Sequence, residues 1–171
     1  MSNPPNPLTL RLTTGTALFL STLTSGLSLG FSTFLVPRLL EAPTQLMLKQ
    51  WAHAYAAGHN IMPLTAATAA ATYFWLAAKS PVAQTRGYLA AGLLTVGIVP
   101  YTLAFMMPTN RRLHAADKRF NGVEAKAKGE EEVGAEEAEG FKALVDWWGV
   151  LNLGRAVLLM AGSACGLATT L

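Results

Sequence analysis

Charged residues are scarce in this sequence and are absent from two long stretches. Only 13% of its 171 residues are Asp, Glu, Lys or Arg, whereas an ordinary soluble domain carries about 25%. Residues 12–36 and 87–110 contain none of these four types. At about 1.5 Å of rise per residue, each stretch makes roughly 36–38 Å of helix, enough to cross a hydrocarbon core of about 30 Å. The composition therefore argues against an ordinary soluble domain and indicates a membrane protein.

Two further apolar segments predict additional spans, although each has a polar part. Residues 50–78 contain no Asp, Glu, Lys or Arg, and their apolar core at 61–78, roughly 27 Å of helix, is just long enough to span. Residues 147–171 are apolar apart from Asn152 and Arg155. Because the remainder after Arg155 is short for a crossing, we expect Arg155 to lie inside the helix. A signal peptide is an alternative for the first stretch, but its length exceeds the usual apolar core of about 7–15 residues.

The sequence thus predicts an all-α fold, an integral membrane four-helix bundle with a long acidic loop between helices three and four. We expect one domain over residues 1–171, with spans at about 8–36, 59–78, 86–107 and 147–170, an interfacial helix at about 44–57 and a flexible linker at about 115–140. Pro37 and Pro108 are expected to end helices one and three, and Pro100 to kink helix three. The glutamate-rich linker is typical of a solvated segment.

Some classes of site lack the residues they would need. Cys165 is the only cysteine, which excludes an intramolecular disulfide and a cysteine-based metal site. Neither a Gly-rich phosphate loop nor a nucleic-acid motif occurs, so we expect no nucleic-acid partner.

Basic residues are distributed unevenly between the two membrane faces. With four spans, Arg11, Lys79 and Arg86 lie on one side and the other ten Lys and Arg residues on the other. The positive-inside rule therefore predicts that loops one and three are cytoplasmic. If the organism is eukaryotic, we expect the endoplasmic reticulum or another endomembrane.

Small and polar residues follow one stripe on helix one and another on helix four. The stripe on helix one consists of Ser21, Ser25, Ser28 and Ser32. The stripe on helix four consists of Trp148, Asn152, Arg155, Leu159, Gly162 and Gly166. Small residues let helices approach closely in a membrane, so we predict that both stripes face neighbouring helices and that leucines face lipid.

Polar residues gather at the membrane face where helices one and three end and helices two and four begin. They are Arg38, Glu41, His53, His59, Asn60, Asn110, Arg111, His114, Trp147, Trp148, Asn152 and Arg155. A charge inside a span costs about 2.5–3.5 kcal/mol on insertion scales, so Arg155 needs a partner or a function. Alternatively it reaches the headgroups or pairs with Glu41 or Asp146. The tryptophans Trp51, Trp147 and Trp148 are expected in an interfacial aromatic belt.

Three motifs contribute residues to this polar end. They are Trp51-x-x-x-Tyr55-x-x-Gly58-His59-x-x-Met62-Pro63, then Pro100-x-Thr102-x-x-x-Met106-x-Pro108-Thr109-Asn110-x-x-Leu113, then Trp148-x-x-x-Asn152-x-x-Arg155. With these motifs the sequence resembles the anthrone oxygenase family, small four-helix membrane proteins of polyketide pathways. The resemblance covers most of the chain outside the acidic linker.

The resemblance implies oxidation of an anthrone to an anthraquinone by O2, with no flavin, haem or tightly held metal. His59 would be the general base, because an imidazole can accept a proton near neutral pH. Arg155 would stabilise the enolate oxygen, with Asn110 and Asn152 as hydrogen-bond donors. The expected pocket walls are Tyr101, Phe105, Met106 and Trp148.

Other functions stay open at this point. A non-catalytic membrane scaffold or assembly protein would use the small-residue stripes to hold the bundle and Arg155 to fix helix register. A metal or haem protein could use His59 and His114, although two histidines make a weak site. A transporter has little support, and a homo-oligomer remains open.

Overall fold

Four long helices make up the part of the chain that the structure describes. The computed structural model describes residues 6–122 and 133–171, and within these ranges no strand occurs. The helices are α1 (Pro7–Leu40), α2 (Thr44–Lys79), α3 (Val82–Asn121) and α4 (Ala135–Thr170). Each is long and apolar enough to cross a membrane. The predicted all-α, four-helix integral membrane bundle is confirmed.

The helices form a closed ring, in which each packs against the next one along the chain and α4 packs against α1. Helix α1 packs along α2 and α4, and α3 packs along α2 and α4. The serine stripe of α1 is directed inward, because Ser21, Ser25 and Ser28 are all buried. Large apolar side chains lie on the outside, such as Phe34, which is 77% exposed. Small and polar residues therefore fill the helix contacts and apolar ones face lipid, as predicted.

Two helices continue past prolines that were expected to end them. In α1, a π-helical turn at Phe31–Leu35 precedes Pro37, and the helix runs on to Leu40. In α3, a second π-helical turn at Thr102–Met106 precedes Pro108, and the helix runs on to Asn121. A proline cannot donate to the carbonyl four residues earlier, and a π-turn redirects the neighbouring hydrogen bonds to carbonyls five residues back. Each π-turn thus lets its helix continue through the proline.

The helix boundaries around the loops also differ from the expected ones. Residues 44–57, expected as a separate interfacial helix, form the first four turns of α2 without a break. Helix α4 begins at Ala135, so Glu136, Glu137 and Glu139 lie in its first turns rather than in a loop. Acidic residues near a helix N-terminus are favoured by its dipole. Residues 115–121 of the predicted linker, including Asp117, belong to α3, and its other acidic residues, Glu124 and Glu130 to Glu132, lie outside the described residues.

Large aromatic side chains pack inside the bundle at its polar end. Trp51 and Trp148 are 0% and 2% exposed, and their rings meet edge to face with centroids 5.9 Å apart. Of the three tryptophans expected in an interfacial belt, only Trp147 is exposed, at 53%. The other two belong to the core, and they form the inner support of the site described below.

Candidate active site

A cavity of about 310 Å³ lies between α2 and α3 near the polar end. Its walls come from all four helices, since Phe31 of α1 and Trp148 and Arg155 of α4 close its inner side. Most of its surface is apolar. The other lining residues are Tyr55, Gly58, His59, Met62, Pro63, Ala66, Ala67, Thr95, Val96, Ile98, Val99, Thr102, Leu103, Met106, Met107 and Asn110. Such a volume and lining suit a small, largely apolar molecule.

Five of the eight predicted site residues line this cavity. They are His59, Met106, Asn110, Trp148 and Arg155. Their common location agrees with the predicted convergence at the polar end.

The other three predicted site residues lie elsewhere. Phe105 is 59% exposed, and the Tyr101 ring beside it, 5.1 Å away between centroids, donates its hydroxyl hydrogen to the Leu151 carbonyl at 3.1 Å. Asn152 is completely buried within the bundle, where its Nδ2 donates to the Trp148 carbonyl at 3.0 Å. None of the three lines the cavity.

Arg155 is a cation without a carboxylate partner among the described residues. Its Nη2 lies 3.5 Å from Sδ of Met62 and its Nη1 3.9 Å from Sδ of Met106, and its buried Nε has no partner in the described part of the chain. A thioether sulfur is only a weak acceptor. The predicted alternative partner Glu41 instead binds Arg38 at 2.9 Å. The charge of Arg155 therefore remains available to a ligand in the cavity.

Asn110 is held in one orientation by Trp148. The indole Nε1 donates to Oδ1 of Asn110 at 3.0 Å, and both side chains are buried. Because an indole nitrogen can only donate, the amide oxygen of Asn110 must face it. The amide NH2 of Asn110 is then free to donate to a molecule in the cavity.

His59 belongs to an aromatic group at the edge of the cavity. Its ring stacks on Tyr55 with centroids 5.6 Å apart, and Tyr55 also meets the edge of His114 at 4.6 Å. His59 and His114 are both exposed, but only His59 lines the cavity. Within residues 6–122 and 133–171, no group of three His, Cys, Asp or Glu side chains could hold a metal ion.

Gly58 and Met62 contribute to the site, although the sequence analysis gave them no role. A Cβ at Gly58 would lie 2.8 Å from the Phe31 ring, so only glycine lets that ring reach the cavity and stack on Trp148 at 6.0 Å. Met62 follows Gly58 by one helical turn, which puts its sulfur on the same face. In the sequence, the spacing Gly58-His59-x-x-Met62 indicated that Gly58 and Met62 lie near the predicted site residue His59.

The arrangement combines an apolar cavity with a few hydrogen-bonding groups at one end. Arg155 and Asn110 offer hydrogen-bond donors to the cavity, and His59 offers an acceptor for a proton. This chemistry defines a membrane-embedded protein whose cavity can take an apolar molecule that develops negative charge on oxygen.

Comparison with known proteins identifies the family. The profile of the anthrone oxygenase family matches residues 51–165. An anthrone oxygenase of Paecilomyces divaricatus is 33% identical over 159 residues, covering 88% of this chain and 90% of that protein. An anthrone oxygenase of Claviceps purpurea is 34% identical over 148 residues, covering 83% of this chain and 79% of that protein. A noranthrone monooxygenase of Aspergillus flavus is 35% identical over 137 residues, covering 77% of this chain and 60% of that protein.

This chain therefore belongs to the anthrone oxygenase family, and the prediction of an oxygenase is confirmed. No solved structure matches it significantly.

Proposed function

We propose that this protein oxidises an anthrone to the corresponding anthraquinone with O2, inside the membrane and without a cofactor. One observation carries the proposal: the guanidinium of Arg155 lines the cavity and has thioethers, not carboxylates, as its neighbours in the described chain. An unpaired cation in a largely apolar cavity stabilises an anion there much more than it would in water. An anthrone enolate is such an anion.

The reaction begins with removal of a proton from the methylene carbon of the anthrone. His59 is the proposed base, because it is the only histidine that lines the cavity. The resulting enolate is aromatic in all three rings, and its negative oxygen would receive hydrogen bonds from Arg155 and from the NH2 of Asn110. Both groups are donors that need little reorganisation, which is the condition for effective oxyanion stabilisation.

The oxidation then takes place at the ring carbon that lost the proton. The electron pair of the enolate forms a bond from this carbon to O2, and a proton completes a hydroperoxide. Loss of water breaks the O–O bond and the remaining C–H bond, leaving a carbonyl. One anthrone and one O2 thus give one anthraquinone and one water. The largely apolar walls of the cavity favour this step, because they limit reprotonation of the enolate by solvent.

Asn152 and Tyr101 have supporting roles in this proposal rather than contacts with substrate. Each binds a main-chain carbonyl of α4, at Trp148 and Leu151 respectively. Both carbonyls belong to the helix that carries Trp148 and Arg155. We also propose, from the distribution of basic residues, that loops one and three face the cytoplasm from an endomembrane. A homo-oligomer stays a prediction.

The test is O2 consumption by purified, metal-analysed protein given emodin anthrone, with spontaneous oxidation subtracted. We expect clear acceleration by the wild type, loss of it in Arg155→Gln, and full retention in Arg11→Gln. Arg11 is a matched control because it is exposed and lies near the start of α1, at the other end of the bundle. No acceleration with any of several anthrones would instead favour the scaffold function, in which Arg155 fixes helix register.

A further inference from the structure

The cavity is bordered on its outer side by two stripes of exposed residues. On α2 the stripe is His59, Pro63 and Ala67, and on α3 it is Val96, Val99 and Leu103. Spacings of three and four residues put each stripe on a single helix face. These residues both line the cavity and reach the surface, so the cavity is open between α2 and α3.

The floor of the cavity is formed by buried residues on the same two helices. Met62 and Ala66 of α2 are 2% and 4% exposed, and Ile98 and Met106 of α3 are 4% and 1% exposed. On α2 the floor residues alternate with the border residues at helical spacing, and on α3 the floor residues Ile98 and Met106 lie before and after Val99 and Leu103. The opening therefore runs from the outer surface of the bundle to Arg155, without passing through either loop.

Helix α3 is irregular at the level where it does not pack along α2. The helix is interrupted at Gly97, carries Pro100, and contains the π-turn Thr102–Met106. Helix α2 packs against α3 along Val82–Val96 and again along Met107–Asn121, while the stretch between them packs against α4. Such defects are the usual causes of a bend in a helix. The stretch of α3 that does not pack along α2 therefore coincides with these defects, at the level of the cavity.

The opening extends from the polar end to the middle of the charge-free stretch of α3. Val99 stands 12 residues after Gly87 and 11 before Asn110 in the charge-free stretch of α3. At about 1.5 Å per residue, it is roughly 16–18 Å from either end of that stretch. Val99 and Leu103 are 52% and 59% exposed, so this part of the border faces the hydrocarbon of the membrane.

We propose that the substrate enters the cavity from the lipid bilayer, through this opening between α2 and α3. The inference rests on the proposed function, since an anthrone is a flat, mostly apolar molecule that partitions into hydrocarbon. A molecule entering there slides along apolar side chains before its polar edge meets Arg155 and Asn110. The product leaves by the same route.

The test measures how fast a ligand enters and leaves, separately from turnover. Emodin, an anthraquinone that cannot be oxidised by this reaction, is mixed with protein in lipid nanodiscs, and its association and dissociation rates are followed by fluorescence. The variant is Ala67→Trp, which puts a large ring across the opening at an exposed position. The matched control is Ala164→Trp, also exposed but on α4 and not part of the cavity.

We expect Ala67→Trp to lower both rates by about tenfold or more, with little change in affinity, because an obstructed entrance slows binding and release equally. The control should keep both rates. Unchanged rates in Ala67→Trp would overturn the proposal. A loss of affinity without slower association would also overturn it, because Ala67 would then be part of the binding site and not of the entrance. Failure of wild type to bind emodin would overturn it as well. If emodin binds with the expected kinetics but no anthrone is oxidised, the proposed function fails and the entrance stands.

Discussion

Replacing Arg155 by methionine should change activity and stability in opposite directions. Methionine is apolar and flexible, and it would pack beside Met62 and Met106, whose sulfurs now flank the guanidinium at 3.5 and 3.9 Å. The variant removes the main donor to the enolate oxygen. Loss of one such donor costs on the order of 10²–10³ in kcat, or about 2.7–4 kcal/mol. We expect a decrease of that size at saturating anthrone.

The expected stability of Arg155→Met follows from the absence of a carboxylate partner for Arg155 among the described residues. A charge within a span costs about 2.5–3.5 kcal/mol on insertion scales, and no carboxylate of the described residues offsets this cost at Arg155. Removing the charge should therefore leave the melting temperature in detergent unchanged or raise it. A fluorescence-detected melting curve measured beside the O2 assay checks both effects on one preparation.

Two outcomes would refute this reasoning. If Arg155→Met melted well below wild type, Arg155 would be a structural residue and its lost activity would say nothing about an oxyanion. If the variant kept normal turnover, the enolate would be stabilised elsewhere. Arg155→Lys gives a useful comparison, because it retains the charge but loses the planar, multidentate donor geometry. Its rate should lie between those of wild type and methionine.

Three other changes give separate predictions. His59→Asn should lower kcat on the order of 10²–10⁴-fold, as for loss of a general base, and added imidazole should restore part of the rate; a normal rate would remove His59 from the mechanism. Trp148→Phe should lower kcat by about tenfold, less than loss of a whole donor, because Asn110 can then turn its oxygen toward the cavity; steady-state kinetics with normal values would show that this orientation is unimportant. Gly154→Ala should destabilise the fold by about 1–3 kcal/mol, since its Cβ overlaps the hydroxyl of Tyr101. Chemical denaturation should show partial recovery when Tyr101→Phe is added, and an unchanged midpoint in the single variant would contradict the close packing.

The sequence was sufficient to predict which residues share a helix face. The serines of α1 were expected to face a neighbour, and Ser21 and Ser28 are 0% exposed. Arg155 was expected within the last helix because too few apolar residues follow it to span alone, and α4 includes it. Both inferences depend only on helical periodicity and on the thickness of the membrane, which act locally on the chain.

Periodicity could not predict which way each face points. Tyr101 and Phe105 are four residues apart, and their rings do lie together. They nevertheless lie on the side of α3 toward α4 and lipid, and not toward α2, because the rotation of a helix depends on what it packs against. The sequence feature that matches this orientation is Gly154, whose lack of a side chain leaves room for Tyr101. Because Gly154 lies on α4, the pattern of α3 alone could not reveal it. The cavity was unpredictable for the same reason, since it depends on the gap between two helices.

An unpaired cation acts as an oxyanion site only if the surrounding structure keeps it from moving toward a better partner. The serine stripe of α1 supplies this constraint through α4. Ser25 donates to the carbonyl of Ala156 at 3.0 Å and Ser32 to the carbonyl of Gly149 at 2.7 Å. These carbonyls belong to the residues that directly follow Arg155 and Trp148.

The two serines are seven residues apart, and so are the two carbonyls. Two hydrogen bonds with this common spacing oppose both sliding and rotation of α4 against α1, because either movement would break both bonds at once. In lipid, no water is present to replace them. The stripe that the sequence indicated as a packing surface therefore also fixes the positions from which Arg155 and Trp148 reach the cavity. Stability of this helix pair and preorganisation of the site follow from the same contacts.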